Sequence, residues 1–175
     1  MAAMAIAARS RYRRAMYEFA PENTANKPAL YAALCEAALA ITADEPDAIA
    51  NMANIAALID GFLPDLNWAG FYRNINGQLV LGPFIGKPAC IRIALGSGVC
   101  GTAAAEARSV LVEDVHAFPG HIACDAVSRS ELVVPVIRDG TVIAVIDCDS
   151  PQLARFDEAD RDGLEQLAAA MAPRI

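Results

Sequence analysis

No apolar run in this chain reaches the roughly 18 residues that a membrane-spanning helix needs. The longest apolar-rich stretch, Ala29 to Ile41, is broken by Cys35 and Glu36, so a packed helix is expected there and no membrane partner. Basic charge is scarce as well: 14 Lys and Arg stand against 21 Asp and Glu, a formal net charge of −7. Proteins that grip nucleic-acid phosphates need a basic face, so nucleic acid is not expected as a partner. A zwitterionic small ligand remains allowed, because one site can differ in sign from the whole surface. Internal repeats and low-complexity tracts are missing too. So is any CxxC pair, which leaves little basis for a structural zinc.

What is present fits one soluble α+β domain. The 175 residues are enough for a real core, and hydrophobic residues make up 55% of them. Residues 1–26 carry no sustained period and end in the loop-like PENTAN. Four arginines precede the first acid there, a weak transit-peptide composition for which a flexible basic tail is the simpler reading. No convincing secretory signal opens the chain, and the five cysteines are odd in number and unevenly spaced. The expected setting is therefore cytoplasmic and reducing, with cysteines that are buried, metal-bound or catalytic rather than bridged.

From Lys27 the pattern becomes helical, with Leu30, Leu34, Ala37, Ala38 and Ile41 at three- and four-residue spacing. A second stripe (Ile49, Met52, Ile55, Leu58, Ile59) follows a cap expected at Asp44 and ends at Gly61 and Pro64. Trp68–Ile75, the turn Asn76-Gly77 and Gln78–Leu81 read as a hairpin. Cys90–Ala94 reads as a strand, Gly98–Ala107 as a short helix and Val110–Val112 as a strand. Glu131–Ile137, Asp139-Gly140 and Thr141–Asp147 read as a second hairpin, and Phe156–Met171 as a closing helix. This order implies a mostly antiparallel sheet with helices packed on it.

Between Val112 and the second hairpin lies EDVHAFPGHIACDAVSRS, a loop of 18 residues that holds both histidines and Cys124. A loop of that length is usually functional or disordered, and Phe118 and Ile122 argue for order. Cys124 is the candidate nucleophile; the alternative is a small buried hydrophobe. Cys90 and Cys100 flank it and suggest a resolving partner, because a sulfenic acid condenses readily with a thiol. Cys35 lies on an apolar helix face and reads as core. The spacing His121-x-x-Cys124, with Cys90, Cys100 and His116, offers only a weak metal set, and no metal is expected.

Strand alternation puts Asp147 and Asp149 on one face and Cys148 on the other, where core packing is expected. Pairing through Asp139-Gly140 makes opposed residues sum to about 279, which sets Glu131 across from Cys148 and between the two aspartates. Three acids gathered there suit an ammonium group or a proton donor; the alternative is a solvated strand end. Trp68 and Tyr72, four apart on a strand, share a face and either wall a pocket or fill the core.

These strings resemble a known family. NWAGFY, LGPFIGKPACIRIALGSGVCGTAAAE, VEDVHAFPGHIACDAVSRSE and AVIDCDSP are similar to the free methionine-(R)-sulfoxide reductases, which are GAF-domain enzymes. The likeness spans about residues 28–172. It implies a six-stranded sheet between helices in a catalytic domain over 27–175, and a homodimer. By position it implies that Cys124 is catalytic, Cys90 its resolving partner and Cys100 a supporting or alternative one. Glu131, Asp147, Asp149, Trp68 and Tyr72 would then line the substrate site. It also implies thiol chemistry without a bound cofactor, reset by thioredoxin or a similar dithiol. A GAF-type sensor that binds a small ligand without turnover is the alternative. Between the two aspartates, where the family usually has an aliphatic residue, this chain has Cys148.

Overall fold

The computed structural model describes residues 26–120 and 126–175. The amino-terminal tail and the segment that carries His121 and Cys124 lie outside the described residues.

Two hairpins form the centre of the fold. In the first, β1 (Trp68–Ile75) pairs with β2 (Gln78–Gly86); in the second, β5 (Ser130–Arg138) pairs with β6 (Thr141–Ser150). Both turns adopt the left-handed backbone at both central residues, with φ of 53° and 79° at Asn76-Gly77 and 50° and 74° at Asp139-Gly140. That geometry matches the twist of the flanking strands and explains the Asn-Gly and Asp-Gly choice. β1 and β6 pair antiparallel, and β3 (Arg92–Ala94) and β4 (Val110–Val112) close the edges, giving the order β3-β2-β1-β6-β5-β4. Every pairing is antiparallel, as the sequence pattern implied, but β2 runs to Gly86 and β3 begins after Cys90.

Among the described residues, three helices cover one face of the sheet: α1 (Lys27–Ile41), α2 (Ala48–Phe62) and α4 (Glu158–Met171). Their stripes meet Phe71, Leu132, Val134 and Ile146 in the main core. Burying each large side chain there contributes roughly 1.5–3 kcal/mol. The cap of α2 is Asp47, which accepts from Ala50 N, and not Asp44; Pro46 precedes the helix. Among the described residues, α3 (Gly98–Glu106) is the one α-helix on the opposite face, over Tyr72, Leu79, Val133 and Val145. Gly101 permits its close approach, because a Cβ there would stand 2.3 Å from the Ala94 carbonyl oxygen.

One polar knot ties α1 to α4. Asp160 is buried, and its carboxylate accepts from Lys27 Nζ (2.6 Å), Tyr31 Oη (2.9 Å), Arg155 Nη1 (3.3 Å) and the backbone N–H of Asp157 (2.9 Å). Asp157 caps α4 in return, completing a reciprocal capping box.

Candidate active site

The single-helix face does not close completely. A cavity, partly open to solvent, lies between α3 and the centre of the sheet. Most of its walls come from five places in the chain. β1 supplies Trp68 and Tyr72, and β6 supplies Asp147 and Asp149. β5 supplies Glu131, and the start of α3 supplies Ser97 to Cys100. The β2–β3 connection contributes Lys87, Pro88 and Ala89.

Register decides which side chains face this cavity. Near the Asp139-Gly140 turn, opposed residues sum to 279, as in Ile137 with Val142. A bulge follows: Val136 pairs with Ala144, and Ile143 is left over. Beyond it Glu131 pairs with Asp149, not with Cys148. This corrects the pairing expected from sequence, and the correction matters. A one-residue slip moves a side chain to the other face. The bulge is what puts Glu131 on the same face as Asp147 and Asp149. Cys148 points away into the three-helix core, fully buried, as its place in the strand suggested.

The aromatic pair is both wall and core. Trp68 and Tyr72 are buried and stacked, with ring centroids 5.8 Å apart. Phe84 also stacks on Trp68, at 5.2 Å. Trp68 Nε1 donates to the Lys87 carbonyl (3.1 Å), which fixes the loop that carries Lys87 over the cavity.

The acids share little charge. Glu131 and Asp147 are both buried and hydrogen-bonded to each other. Burial, and then the charges of Asp147 and Asp149, hold the Glu131 carboxyl far above its usual range. Burial pushes Asp147 up to about 7, against the pull of hydrogen bonds from Cys100 and Glu131. Glu131 is therefore the protonated member near neutral pH, donating to Asp147. Asp147 keeps one oxygen, Oδ1, without a hydrogen-bond partner among the described residues. Burial, followed by Asp147 and Glu131, pushes the Cys100 thiol well up as well, so Cys100 is a neutral S–H donor to Asp147.

Of the sequence-predicted residues, the structure brings Trp68, Tyr72, Cys100, Glu131, Asp147 and Asp149 to one cavity. Cys90 is half-buried at the end of the Lys87–Ala89 loop and packs against the same core. Cys124 lies outside the described residues. Part of its loop is ordered: Val115–Ala117 forms a 3-10 turn capped by Asp114, and Val115 N donates to Arg129 O (2.9 Å). Ser128, four positions after Cys124, lines the cavity and accepts from Asn67 Nδ2 (2.9 Å). His116 stands apart, exposed against Asp114 with Nδ1–Oδ1 at 3.0 Å.

Sequence reasoning missed Lys87 and Ser128; the helix start beside Cys100, whose amides favour an anion, was legible in the residues. Lys87 is one of only two lysines in the chain, a signal that could have singled it out. The start of α3 adds a partial positive charge through its first amides, which have no intrahelical acceptor. The cavity lining therefore combines acids with positive groups.

A family model described as GAF domain matches residues 30–175. The chain belongs to the GAF-domain family. This GAF domain is 49% identical, over 146 residues, to the free methionine-R-sulfoxide reductase of Escherichia coli, covering 83% of this chain and 88% of that one. The free methionine-R-sulfoxide reductase of Neisseria meningitidis, solved in complex with its substrate, superposes with a TM-score of 0.80 at 42% identity, covering 91% of this chain and 94% of that one. A Burkholderia vietnamiensis protein described as a candidate GAF sensor gives 0.82 at 57% identity, covering 85% and 95%. Among the described residues no helix of the GAF domain is long and apolar enough to cross a membrane.

Proposed function

We propose that this protein reduces free methionine-(R)-sulfoxide to methionine. The reading is carried by one arrangement: a cavity for a small molecule with Glu131, Asp147 and Asp149 on one side and Trp68 beside them. Relatives named for this reaction, one of them solved with its substrate, support it. The amino-acid ammonium would sit against Asp149 and Asp147, and the carboxylate toward Lys87 and the amides at the start of α3. Recognition of both backbone charges would favour the free amino acid over a residue inside a peptide, which has neither.

In the proposed chemistry the Cys124 thiolate attacks the sulfoxide sulfur. Glu131 gives its proton to the sulfoxide oxygen, since the S–O bond breaks readily only when that oxygen is protonated. The oxygen passes to Cys124 as a sulfenic acid, and methionine leaves. The Cys90 thiol then attacks the Cys124 sulfur, forming a disulfide and releasing water. An external dithiol of the thioredoxin type restores both thiols by exchange. The working form is proposed to be a homodimer.

The test is incubation of the reduced protein with separate R and S sulfoxides, counting methionine released per subunit. Release from the R form only is expected, with none from Cys124→Ser and a single turnover from Cys90→Ser. A protein that gains thermal stability from the sulfoxide but releases no methionine is a sensor, and the proposal fails.

A further inference from the structure

The same cavity holds a side-chain set that acid–base chemistry alone does not require. The Cys100 sulfur and one carboxylate oxygen each from Glu131 and Asp147 all lie within 4.8 Å of one another. All three residues are buried, at 4%, 6% and 6% exposure. A second observation is independent of that clustering. The buried Oδ1 of Asp147, one of these three residues, has no hydrogen-bond partner among the described residues. A buried carboxylate oxygen left in that state lacks a donor or a cation.

We propose that Cys100, Glu131 and Asp147 bind a zinc-class divalent cation, which shuts substrate out of the cavity. One sulfur and two carboxylate oxygens are ligands that zinc accepts, at about 2.3 Å and 2.0–2.2 Å respectively. Tetrahedral ligands at those lengths stand roughly 3.5 Å apart, so from within 4.8 Å the three side chains need to close by no more than about 1.3 Å. Magnesium and calcium are selected against, because both take oxygen ligands and Cys100 offers sulfur. The fourth position faces the open cavity and would hold water. The ion would replace the hydrogen bonds among the three side chains and occupy the place of the substrate's ammonium. This set is not the one suggested by the His121-x-x-Cys124 spacing: His116 lies exposed against Asp114, and Cys90 does not line the cavity. Binding of the ion stands apart from the reductase reading; only exclusion of the sulfoxide rests on it.

The experiment is titration of the reduced full-length protein with zinc chloride against a chelating dye, repeated with cobalt to read the thiolate charge-transfer band. One zinc per subunit is expected. Cys100→Ser and Glu131→Gln should each weaken it about tenfold or more, with thermal melts confirming that both variants fold. Cys124→Ser should keep the ion. Cobalt should show the thiolate band in the parent and not in Cys100→Ser. Tight zinc in Cys100→Ser, or its loss in Cys124→Ser, overturns the site. In the sulfoxide assay zinc should compete with substrate, and zinc bound without inhibition overturns the exclusion. Zinc held through Cys100 by a protein that reduces no sulfoxide leaves the site standing and removes only the reductase reading.

Discussion

Asp160 and Asp147 are both buried carboxylates, and their surroundings are opposite. Asp160 meets Lys27, Arg155, the Tyr31 hydroxyl and a backbone N–H, so both of its oxygens are used. Asp147 meets another acid and a thiol, keeps an oxygen without a partner, and faces a cavity. The first arrangement fastens two helices. The second leaves a charge underdetermined, so a proton, a substrate or a cation can complete it. A buried carboxylate ringed by cations marks architecture, whereas one ringed by acids beside a cavity marks chemistry.

Substitutions at the two sites should therefore separate activity from stability. The largest effect is expected from Glu131→Gln, which keeps shape and removes the acid proton. Methionine release should slow by about 10²–10⁴-fold, read in single-turnover assays. The urea midpoint should barely move. Next comes Asp160→Ala, which leaves Lys27 and Arg155 without their shared carboxylate. Losing one partner of a buried ion pair costs about 3–5 kcal/mol, and Lys27 is partly exposed, so about 3 kcal/mol is expected in urea unfolding. Methionine release measured well below the melting temperature should not change. An active-site defect in that variant would break the comparison.

The smallest effect concerns pH. The Asp147 carboxyl rises from 3.8 to about 7 on folding. Below about 4 both folded and unfolded chains hold its proton. Between about 4 and 7 the folded chain keeps a proton that the unfolded chain has lost. Stability from this group is therefore greatest in acid and declines as pH rises to about 7. Asp147→Asn should flatten that decline in urea midpoints measured from pH 5 to 8. An unchanged slope would mean that Asp147 is already ionised when buried.

Much of this was legible in the residues because it is local. The Asn-Gly and Asp-Gly turns, the helical stripes of α1 and α2 and the alternation that sends Cys148 away from its neighbouring aspartates all follow from short-range geometry. A buried core role for Cys148 and a shared face for Trp68 and Tyr72 came from the same rule. The loop around Cys124 stands out in the sequence by its length and content, and its centre lies outside the described residues.

Other features needed the tertiary structure. The bulge at Ile143 is invisible to a rule that counts outward from a turn, because the alternation reads the same on either side of it. Without that bulge Glu131 would face the three-helix core. The β1–β6 pairing, which sets Trp68 opposite Asp149, joins segments some 80 residues apart, and nothing local specifies it. Lys87 and Ser128 reach the cavity by the same long-range folding. Sequence alone determined the type and order of the elements and the period-two alternation within each strand. The packing of both sheet faces decided strand order and register, because only burial on two sides distinguishes one pairing from the next.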